Sequence, residues 1–215
     1  MPGAADPKVN EKFLDPGLNA EEWVKRFEGE SREVFAQRAS IVKASGVGPG
    51  QVVADVGAGT GLFTFLFADA VGPKGRVYAV DVSPVFVRRL RQHAKSRSPR
   101  NVVVIQGASR SPELPEGSVD RVFICDTYHH FEHPGEMLAG IARALRPGGE
   151  VVVVDFRREP GKSSAWTLEH VRAGEEVVKA EFEAAGLSFA RSADFLQENY
   201  LLVFKKATDR KAPVP

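Results

Sequence analysis

Three of the five histidines of the chain fall within five positions, His129 to His133, directly after an apolar run that ends at Asp126. Imidazole exchanges a proton near neutral pH, so this segment is a candidate for general base chemistry. A carboxylate ends the next apolar run, and another histidine follows it in a predicted helix. The predicted catalytic residues are His130, His133, Asp155, His170 and Tyr128.

The same segment allows a second interpretation, in which His129, His133, Asp155 and His170 hold a divalent ion that polarises a hydroxyl substrate. Pro134 places the first two of these histidines in a loop rather than one turn apart on a helix face. Their spacing is therefore not diagnostic of a metal site. We assign no metal ligand from the sequence and keep a metal-assisted reaction as an alternative.

A glycine-rich turn is the most informative motif, in the segment Asp55-Val56-Gly57-Ala58-Gly59-Thr60-Gly61. It joins a predicted strand to a predicted helix, where the absence of side chains lets a ligand approach the backbone closely. Asp81 lies 20 residues after Gly61, at the end of the next predicted strand. A carboxylate there accepts hydrogen bonds from two ribose hydroxyls, so the motif predicts an adenosine site.

The spacing of the glycines favours one adenosine cofactor over another. Dinucleotide sites space them G-x-G-x-x-G, whereas this chain has G-x-G-x-G with Asp55 two residues before the first glycine. A carboxylate there repels a pyrophosphate but binds the ammonium of an amino-acid moiety. The sequence therefore favours S-adenosylmethionine, with an NAD-linked oxidoreductase as the alternative.

Short apolar runs alternate with helical patterns after residue 50, which predicts an α/β fold with a doubly wound, mostly parallel sheet. The predicted strands are Gln51 to Val56, Arg76 to Val82, Val102 to Gly107, Val119 to Asp126, Glu150 to Phe156, Leu187 to Phe195 and Tyr200 to Lys205. The predicted helices are Gly61 to Ala70, Pro84 to Ser96, Pro134 to Leu145 and Thr167 to Ala185, with a shorter one near residue 110. The short gap before the last strand indicates an antiparallel hairpin.

These motifs resemble the class I S-adenosylmethionine-dependent methyltransferases, and particularly the small-molecule group called methyltransferase type 11. The resemblance covers residues 51 to 156 and rests on the glycine turn, on Asp81 and on three later segments. Those segments are Leu114-Pro115-Glu116-Gly117-Ser118-Val119-Asp120, Tyr128-His129-His130-Phe131 and Leu145-Arg146-Pro147-Gly148-Gly149. The resemblance implies a Rossmann-like sheet of seven strands with the last strand antiparallel.

The resemblance also implies where the cofactor lies. Gly57, Gly59 and Gly61 are expected at its methionine and ribose, Asp81 at the ribose, and Val82 on one face of the adenine. Similar proteins carry an acidic residue where this chain has Ala108, so the adenine is expected to be bound by Ser109, by backbone groups or by a water. The predicted cofactor-binding residues are Asp55, Gly57, Ala58, Gly59, Gly61, Asp81, Val82, Ser109 and Asp126.

The composition of the chain bears on its binding partners and its cellular compartment. With 29 Lys and Arg against 28 Asp and Glu, the 215-residue chain offers no strong field for nucleic acid or an anionic membrane. A single cysteine and an N-terminus without a signal-peptide pattern favour the cytoplasm. We expect a helical lid segment at residues 1–50, a methyltransferase domain at 51–206 and a flexible tail at 207–215.

The predicted activity is transfer of a methyl group to an oxygen, nitrogen or carbon atom of a small-molecule acceptor, with a histidine assisting deprotonation. The product of the cofactor is then S-adenosylhomocysteine. Motifs typical of nucleic-acid, arsenic and protein-arginine methylation are missing from the sequence. The expected partners are the small acceptor and, in a homodimer, a second copy of the chain; a monomer is equally compatible. A non-catalytic, cofactor-binding regulatory or partner subunit is the alternative from another functional class.

Overall fold

A computed structural model describes residues 8–208 and contains one seven-stranded sheet with the order β3-β2-β1-β4-β5-β7-β6. The strands are β1 Val52–Val56, β2 Arg76–Asp81, β3 Val102–Gln106, β4 Val119–Cys125, β5 Leu145–Phe156, β6 Leu187–Ala193 and β7 Asn199–Lys206. The first five strands are parallel, and β7 inserts antiparallel between β5 and β6. The predicted fold class is confirmed.

The middle of each central strand is apolar because helices cover both faces of the sheet. In β5 the run from Val151 to Val154 is fully buried, with alternate residues packing into the two cores on opposite faces. The strands therefore form a rigid base whose carboxyl ends all open at one edge. In such sheets, ligands bind beyond that edge, where the strand order reverses between β1 and β4.

Nine helices accompany the sheet in residues 8–208. They are α1 Glu11–Leu14, α2 Ala20–Phe27, α3 Glu33–Ala36, α4 Arg38–Ala44, α5 Leu62–Val71, α6 Pro84–Ser96, α7 Pro134–Ala144, α8 Ala165–His170 and α9 Glu175–Ala184. α6 has the bounds that the sequence predicts. Its start is set by Pro84 in the first turn and by the Ser83 hydroxyl, which accepts a hydrogen bond from a backbone N–H of that turn.

The predicted helix from Thr167 to Ala185 is wrong, because the chain forms α8 and α9 with a non-helical segment at 171–174 between them. Val171 is buried and extended, and Gly174 is extended at φ −83° and ψ 174°. β-branched and glycine residues lower helix propensity, and burial of Val171 outweighs helical continuity here. The short helix predicted near residue 110 is also wrong, since Ala108 and Ser111 form an isolated antiparallel bridge.

Residues of α1, α2 and α3 lie at the carboxyl edge of the sheet, where α1 and α2 contact α6, whereas α4 packs against α5. Asn19 caps α2 by accepting a hydrogen bond from the backbone N–H of Glu21. No helix in residues 8–208 is long and apolar enough to cross a bilayer. Of the predicted tail at 207–215, positions 209–215 lie outside the described residues, as do positions 1–7.

Candidate active site

A cavity of about 500 Å³ opens at the carboxyl edge of the sheet, between the strand ends and the N-terminal helices. One end is walled by the glycine turn after β1, by the end of β2 and by the loop after β3. The other end is walled by the loop after β4 together with α1, α2 and α8. The cavity therefore joins the predicted cofactor residues and the histidine segment in one space.

The glycine turn has the tight geometry that its composition predicts. Gly57 lies at φ +80°, and a Cβ atom built on it would come within 2.2 Å of the Thr127 side chain. Gly59 lies at φ +52° with space on its cavity side, where Phe27 of α2 is its nearest side-chain neighbour. Only glycine adopts these conformations cheaply, so the turn presents bare backbone to the cavity.

Gly61 is needed for the packing of two helices and does not form part of the cavity surface. It lies at φ +97° at the start of α5, and a Cβ atom there would clash with Phe65 and Leu90. The other eight predicted cofactor residues all line the cavity, and Gly61 does not. Its glycine is required by the packing of α5 against α6.

Asp81 is held by backbone groups at the end of β2. Its carboxylate accepts hydrogen bonds from the N–H of Gly59 at 2.7 Å and from the N–H of Ser83 at 2.8 Å. Burial raises the pKa of Asp81 to about 6, against the lowering effect of these hydrogen bonds. Each carboxylate oxygen keeps a second lone pair, so the group can still accept hydrogen bonds from a ligand.

Asp55 lies at the end of β1, buried beneath the glycine turn. The Thr64 hydroxyl donates to its carboxylate at 2.5 Å. Burial raises the pKa of Asp55 to about 7, and the nearby charge of Asp81 adds to the increase. A cationic group entering the cavity would favour the ionised form of both carboxyls.

The loop after β3 supplies the far end of the cavity. Gly107, Ala108 and Ser109 line it, opposite Val82 and Phe86. Ser109 is exposed and its hydroxyl is free to face a ligand group. Apolar walls with one hydroxyl fit a heterocyclic base better than a charged group.

Asp126 lies at the start of the loop after β4 and has a left-handed backbone with φ +46°. Its carboxylate accepts from the guanidinium of Arg32 and from the amide of Asn199, the latter at 2.7 Å. Burial raises the pKa of Asp126 to about 6, while the Arg32 charge opposes the increase. The sequence reasoning missed Arg32, since nothing in its local pattern shows that it reaches the sheet.

His129 and Asp155 form a buried pair at the ends of β4 and β5. Asp155 accepts from the ring Nδ1 of His129 at 2.7 Å and from the backbone N–H of His129 at 3.1 Å. This arrangement places the proton on Nδ1 and leaves Nε2 as an acceptor. Asp155 itself does not line the cavity, whereas His129 does. The predicted catalytic carboxylate is therefore a group that orients a histidine.

His130 and His170 complete a cluster of three imidazoles around His129. The ring centroids of His130 and His170 are 5.1 Å apart, and those of His129 and His130 are 4.3 Å apart. Burial, followed by the neighbouring His129 and His170, lowers the pKa of His130 to about 2. Burial and His129 also lower the pKa of His170. Burial and crowding thus favour the neutral, proton-accepting forms of His130 and His170.

Two predicted catalytic residues lie away from the cavity. Tyr128 is buried in the core beneath the loop, where its hydroxyl donates to Glu181 of α9 at 2.5 Å. Burial and this carboxylate raise its pKa well above the ordinary value, which disfavours proton transfer. His133 precedes α7 and does not line the cavity. The histidine that lies with His130 and His170 is His129, and not His133.

The N-terminal segment is tied to the cavity rim from both sides. Asn10 donates to the backbone carbonyl of His130 at 3.0 Å and to Glu132 at 2.9 Å. On the opposite side, the Glu33 carboxylate accepts from three successive backbone N–H groups at 197–199, at distances of 2.5 to 2.9 Å. Phe13, between these ends, contacts His130 with ring centroids 5.5 Å apart.

A doubly wound sheet with an antiparallel seventh strand, a glycine turn after β1 and an acid ending β2 defines the Rossmann-like, class I S-adenosylmethionine-dependent methyltransferases. Residues 53–149 match the family model described as a methyltransferase domain. Together with the fold and the motifs, this match supports a class I S-adenosylmethionine-dependent methyltransferase.

Individual relatives agree with this assignment. The ubiquinone/menaquinone biosynthesis C-methyltransferase UbiE of Ectopseudomonas mendocina (strain ymp) is 31% identical over 121 residues, which cover 56% of this chain and 47% of that protein. The corresponding protein of Burkholderia mallei (strain SAVP1) is 30% identical over 131 residues, which cover 60% of this chain and 54% of that protein. The chain thus spans about half the length of the curated relatives it matches.

Solved structures extend the similarity over nearly the whole chain. A SAM-dependent methyltransferase from Aquifex aeolicus is 26% identical, with a TM-score of 0.73, and the match covers 93% of this chain and 98% of that one. An S-adenosylmethionine-dependent methyltransferase from Mesorhizobium loti is 14% identical with a TM-score of 0.66, covering 80% of this chain and 98% of that one. The second match concerns the fold alone.

Proposed function

We propose that the chain transfers a methyl group from S-adenosylmethionine to a small-molecule acceptor, and that the histidine cluster assists loss of the acceptor's proton. One observation carries this proposal. Eight of the nine predicted cofactor residues line a single cavity at the carboxyl edge of the sheet, together with His129, His130 and His170.

The two ends of the cavity fit the two ends of the cofactor. Asp81 would accept hydrogen bonds from the ribose hydroxyls, with the adenine between Val82 and the loop at 107–109. Asp55 and Asp126 would face the ammonium of the methionine portion, whose positive charge compensates their buried carboxylates. With these groups at one end, the methyl group is directed toward the loop after β4.

Methyl transfer from a sulfonium is an in-line displacement in which the acceptor atom bonds to the methyl carbon while the sulfur–carbon bond breaks. The donor already carries a good leaving group, so the protein must mainly align the acceptor and exclude water. The acceptor's proton must also leave when its nucleophilic form is an anion. His129 is the histidine best placed to assist, because Asp155 fixes its orientation and tautomer.

The walls beside the histidines indicate a small, largely apolar acceptor. Phe13, Trp23, Phe156 and Trp166 all line this end of the cavity. Trp166 stacks on His170 with ring centroids 4.7 Å apart. The UbiE relatives are named as C-methyltransferases of ubiquinone and menaquinone biosynthesis, which makes phenols and quinols the first acceptors to test alongside amines.

We further propose that the first 50 residues act as a lid over bound cofactor, with residues 51–206 as the methyltransferase domain. Phe27 lies over Gly59, and a Cβ atom built there would be 3.8 Å from its ring. Asn10 and Glu33 anchor the segment to the rim at opposite sides of the cavity. The part between Asn10 and Glu33 is held at its ends by these polar contacts and can release without disturbing the sheet, while Val34 and Ile41 keep the following residues packed in the core.

The proposed activity is tested by incubating the full chain with S-adenosylmethionine and a panel of phenols, quinols, amines and hydroxy acids. Formation of S-adenosylhomocysteine and of a product heavier by one methylene unit is measured by mass spectrometry. Asp81→Ala should lose cofactor binding, measured by calorimetry with S-adenosylhomocysteine. His129→Gln should retain that binding and lose turnover by about 100-fold or more, because only proton removal is affected.

A matched control is His93→Gln, which alters an exposed histidine on α6 outside the cavity and should keep full turnover. Tight binding without turnover for the whole panel would instead support a non-catalytic regulatory subunit. Equal turnover by His129→Gln and the unaltered chain would refute the assigned role of the histidine cluster.

A further inference from the structure

Three imidazoles converge on one point of the cavity wall, contributed by the loop after β4 and by α8. One ring nitrogen from each of His129, His130 and His170 lies within 4.8 Å of the corresponding nitrogens of the other two. An ion at the centre of such a triangle would lie at most about 2.8 Å from each nitrogen. Shifts of about 0.7 Å per ring would reach the zinc–nitrogen distance of about 2.1 Å.

The bonds already present leave a ring nitrogen available on two of the three histidines, His129 and His130. Asp155 accepts from Nδ1 of His129, so in the neutral ring Nε2 is the nitrogen that can take a ligand. Nδ1 of His130 is buried and has no hydrogen-bond partner within the described residues. A buried imidazole nitrogen without a partner is costly, and an ion bound there would remove that cost.

The surroundings resemble those of a metal centre in a second respect. Metal-binding histidines usually donate their other ring N–H to a carboxylate, which orients the ring and strengthens its basicity. Asp155 does this for His129 from a position just outside the cavity. Asp155 is fully buried, so its charge also offsets the charge of an ion held by three neutral rings.

We propose that His129, His130 and His170 bind one divalent transition-metal ion, and that an acidic hydroxyl of the acceptor completes its coordination. Three imidazoles suit Zn²⁺, Fe²⁺, Co²⁺ or Ni²⁺ rather than Mg²⁺, which prefers oxygen ligands. Three protein ligands leave a coordination position open to a substrate. This inference rests on the proposed function and specifies how the histidine cluster assists deprotonation.

The chemistry assigns a substrate class. The ion takes the acceptor's oxygen, and the hydroxyl proton is released to solvent as the metal lowers its pKa. The resulting oxyanion, or the ring carbon conjugated to it, bonds to the methyl carbon as the sulfur–carbon bond of the cofactor breaks. Lys12 of α1 also faces the cluster and favours an anionic acceptor. Phenols, enols and hydroxyquinols fit, whereas simple amines do not.

Metal binding is tested on the full chain after treatment with a chelator. Zn²⁺ is titrated by calorimetry, and Co²⁺ by visible absorption, which reports the coordination of the ion. We expect one ion per chain, with His170→Ala weakening binding by about 100-fold. Asp155→Asn should weaken it by about 10- to 100-fold, because the orientation of His129 is lost. His93→Gln is the control and should bind the ion as the unaltered chain does.

Fewer than one ion per five chains at saturating Zn²⁺ would overturn the site, as would equal affinity in the His170→Ala and His93→Gln variants. Binding of S-adenosylhomocysteine, measured in the same samples, separates the two proposals. Cofactor binding without metal binding refutes the metal site and leaves the proposed methyl transfer intact. Metal binding by the three histidines without cofactor binding refutes the proposed methyl transfer instead.

Discussion

Protonation of Asp81 should control the affinity of the cofactor. Burial raises the pKa of this carboxyl to about 6, so lowering the pH from 8 to 5 converts it from mostly ionised to mostly neutral. The ionised form is the better acceptor for two ribose hydroxyls. Binding therefore favours the ionised form, and the apparent dissociation constant scales with one plus the ratio of neutral to ionised carboxyl.

That ratio is about 0.01 at pH 8 and about 10 at pH 5, so Asp81 alone weakens binding by about tenfold, or about 1.4 kcal/mol. Asp55 shifts in the same direction, since its pKa is raised to about 7. Calorimetry with S-adenosylhomocysteine across this range should show at least a tenfold loss. In the Asp81→Asn variant, the loss of affinity between pH 8 and pH 5 should be smaller by about tenfold than in the unaltered chain. An identical pH dependence in both proteins, or tighter binding at pH 5, would refute the assignment of Asp81 to the ribose.

Three further predictions concern the same cavity. The unliganded wild-type chain should lose stability as the pH rises from 5 to 8, because the pKa of Asp55 is higher in the folded state than in the unfolded state. Asp55→Asn should therefore melt several degrees higher than wild type at pH 8, and it should bind S-adenosylhomocysteine more weakly. Gly57→Ala should lower the free energy of unfolding in urea by about 1 to 3 kcal/mol more than Gly50→Ala does. Gly50 has the same left-handed backbone but open space around a Cβ atom, so equal losses of unfolding free energy would show that a clash with Thr127 is not the cause. Glu33→Ala should raise the dissociation rate of S-adenosylhomocysteine by about tenfold and speed hydrogen exchange in residues 8–45. The control Glu30→Ala removes an exposed ion pair and should change neither quantity.

The parts of this structure that sequence predicts are those encoded locally. Six of the seven strands have bounds within two residues of the apolar runs that predict them, whereas β5 begins at Leu145, five residues before the predicted Glu150. The start of α6 follows from the Ser83-Pro84 pair. The glycine turn and Asp81 are recognisable because their chemistry depends on spacing along the chain. Gly61 belongs to the same motif, but whether it faces the cavity or the helix packing depends on neighbours distant in sequence.

The catalytic end of the cavity is less predictable because it is assembled from distant segments. His129 and Asp155 are 26 residues apart and meet because β4 and β5 are adjacent and parallel. That adjacency was the available signal, and it would have favoured His129 over His133. The pairing of Arg32 with Asp126 spans 94 residues, and no periodicity along the chain reports such a contact.

The most direct test of the central claim is a crystal structure of the full chain with S-adenosylhomocysteine. We expect both ribose hydroxyls to donate to Asp81, the amino group to lie near Asp55 and Asp126, and the sulfur to face His129 across a space sized for an acceptor. A ligand whose ribose lies away from Asp81, or whose sulfur faces away from the histidine cluster, would contradict the account.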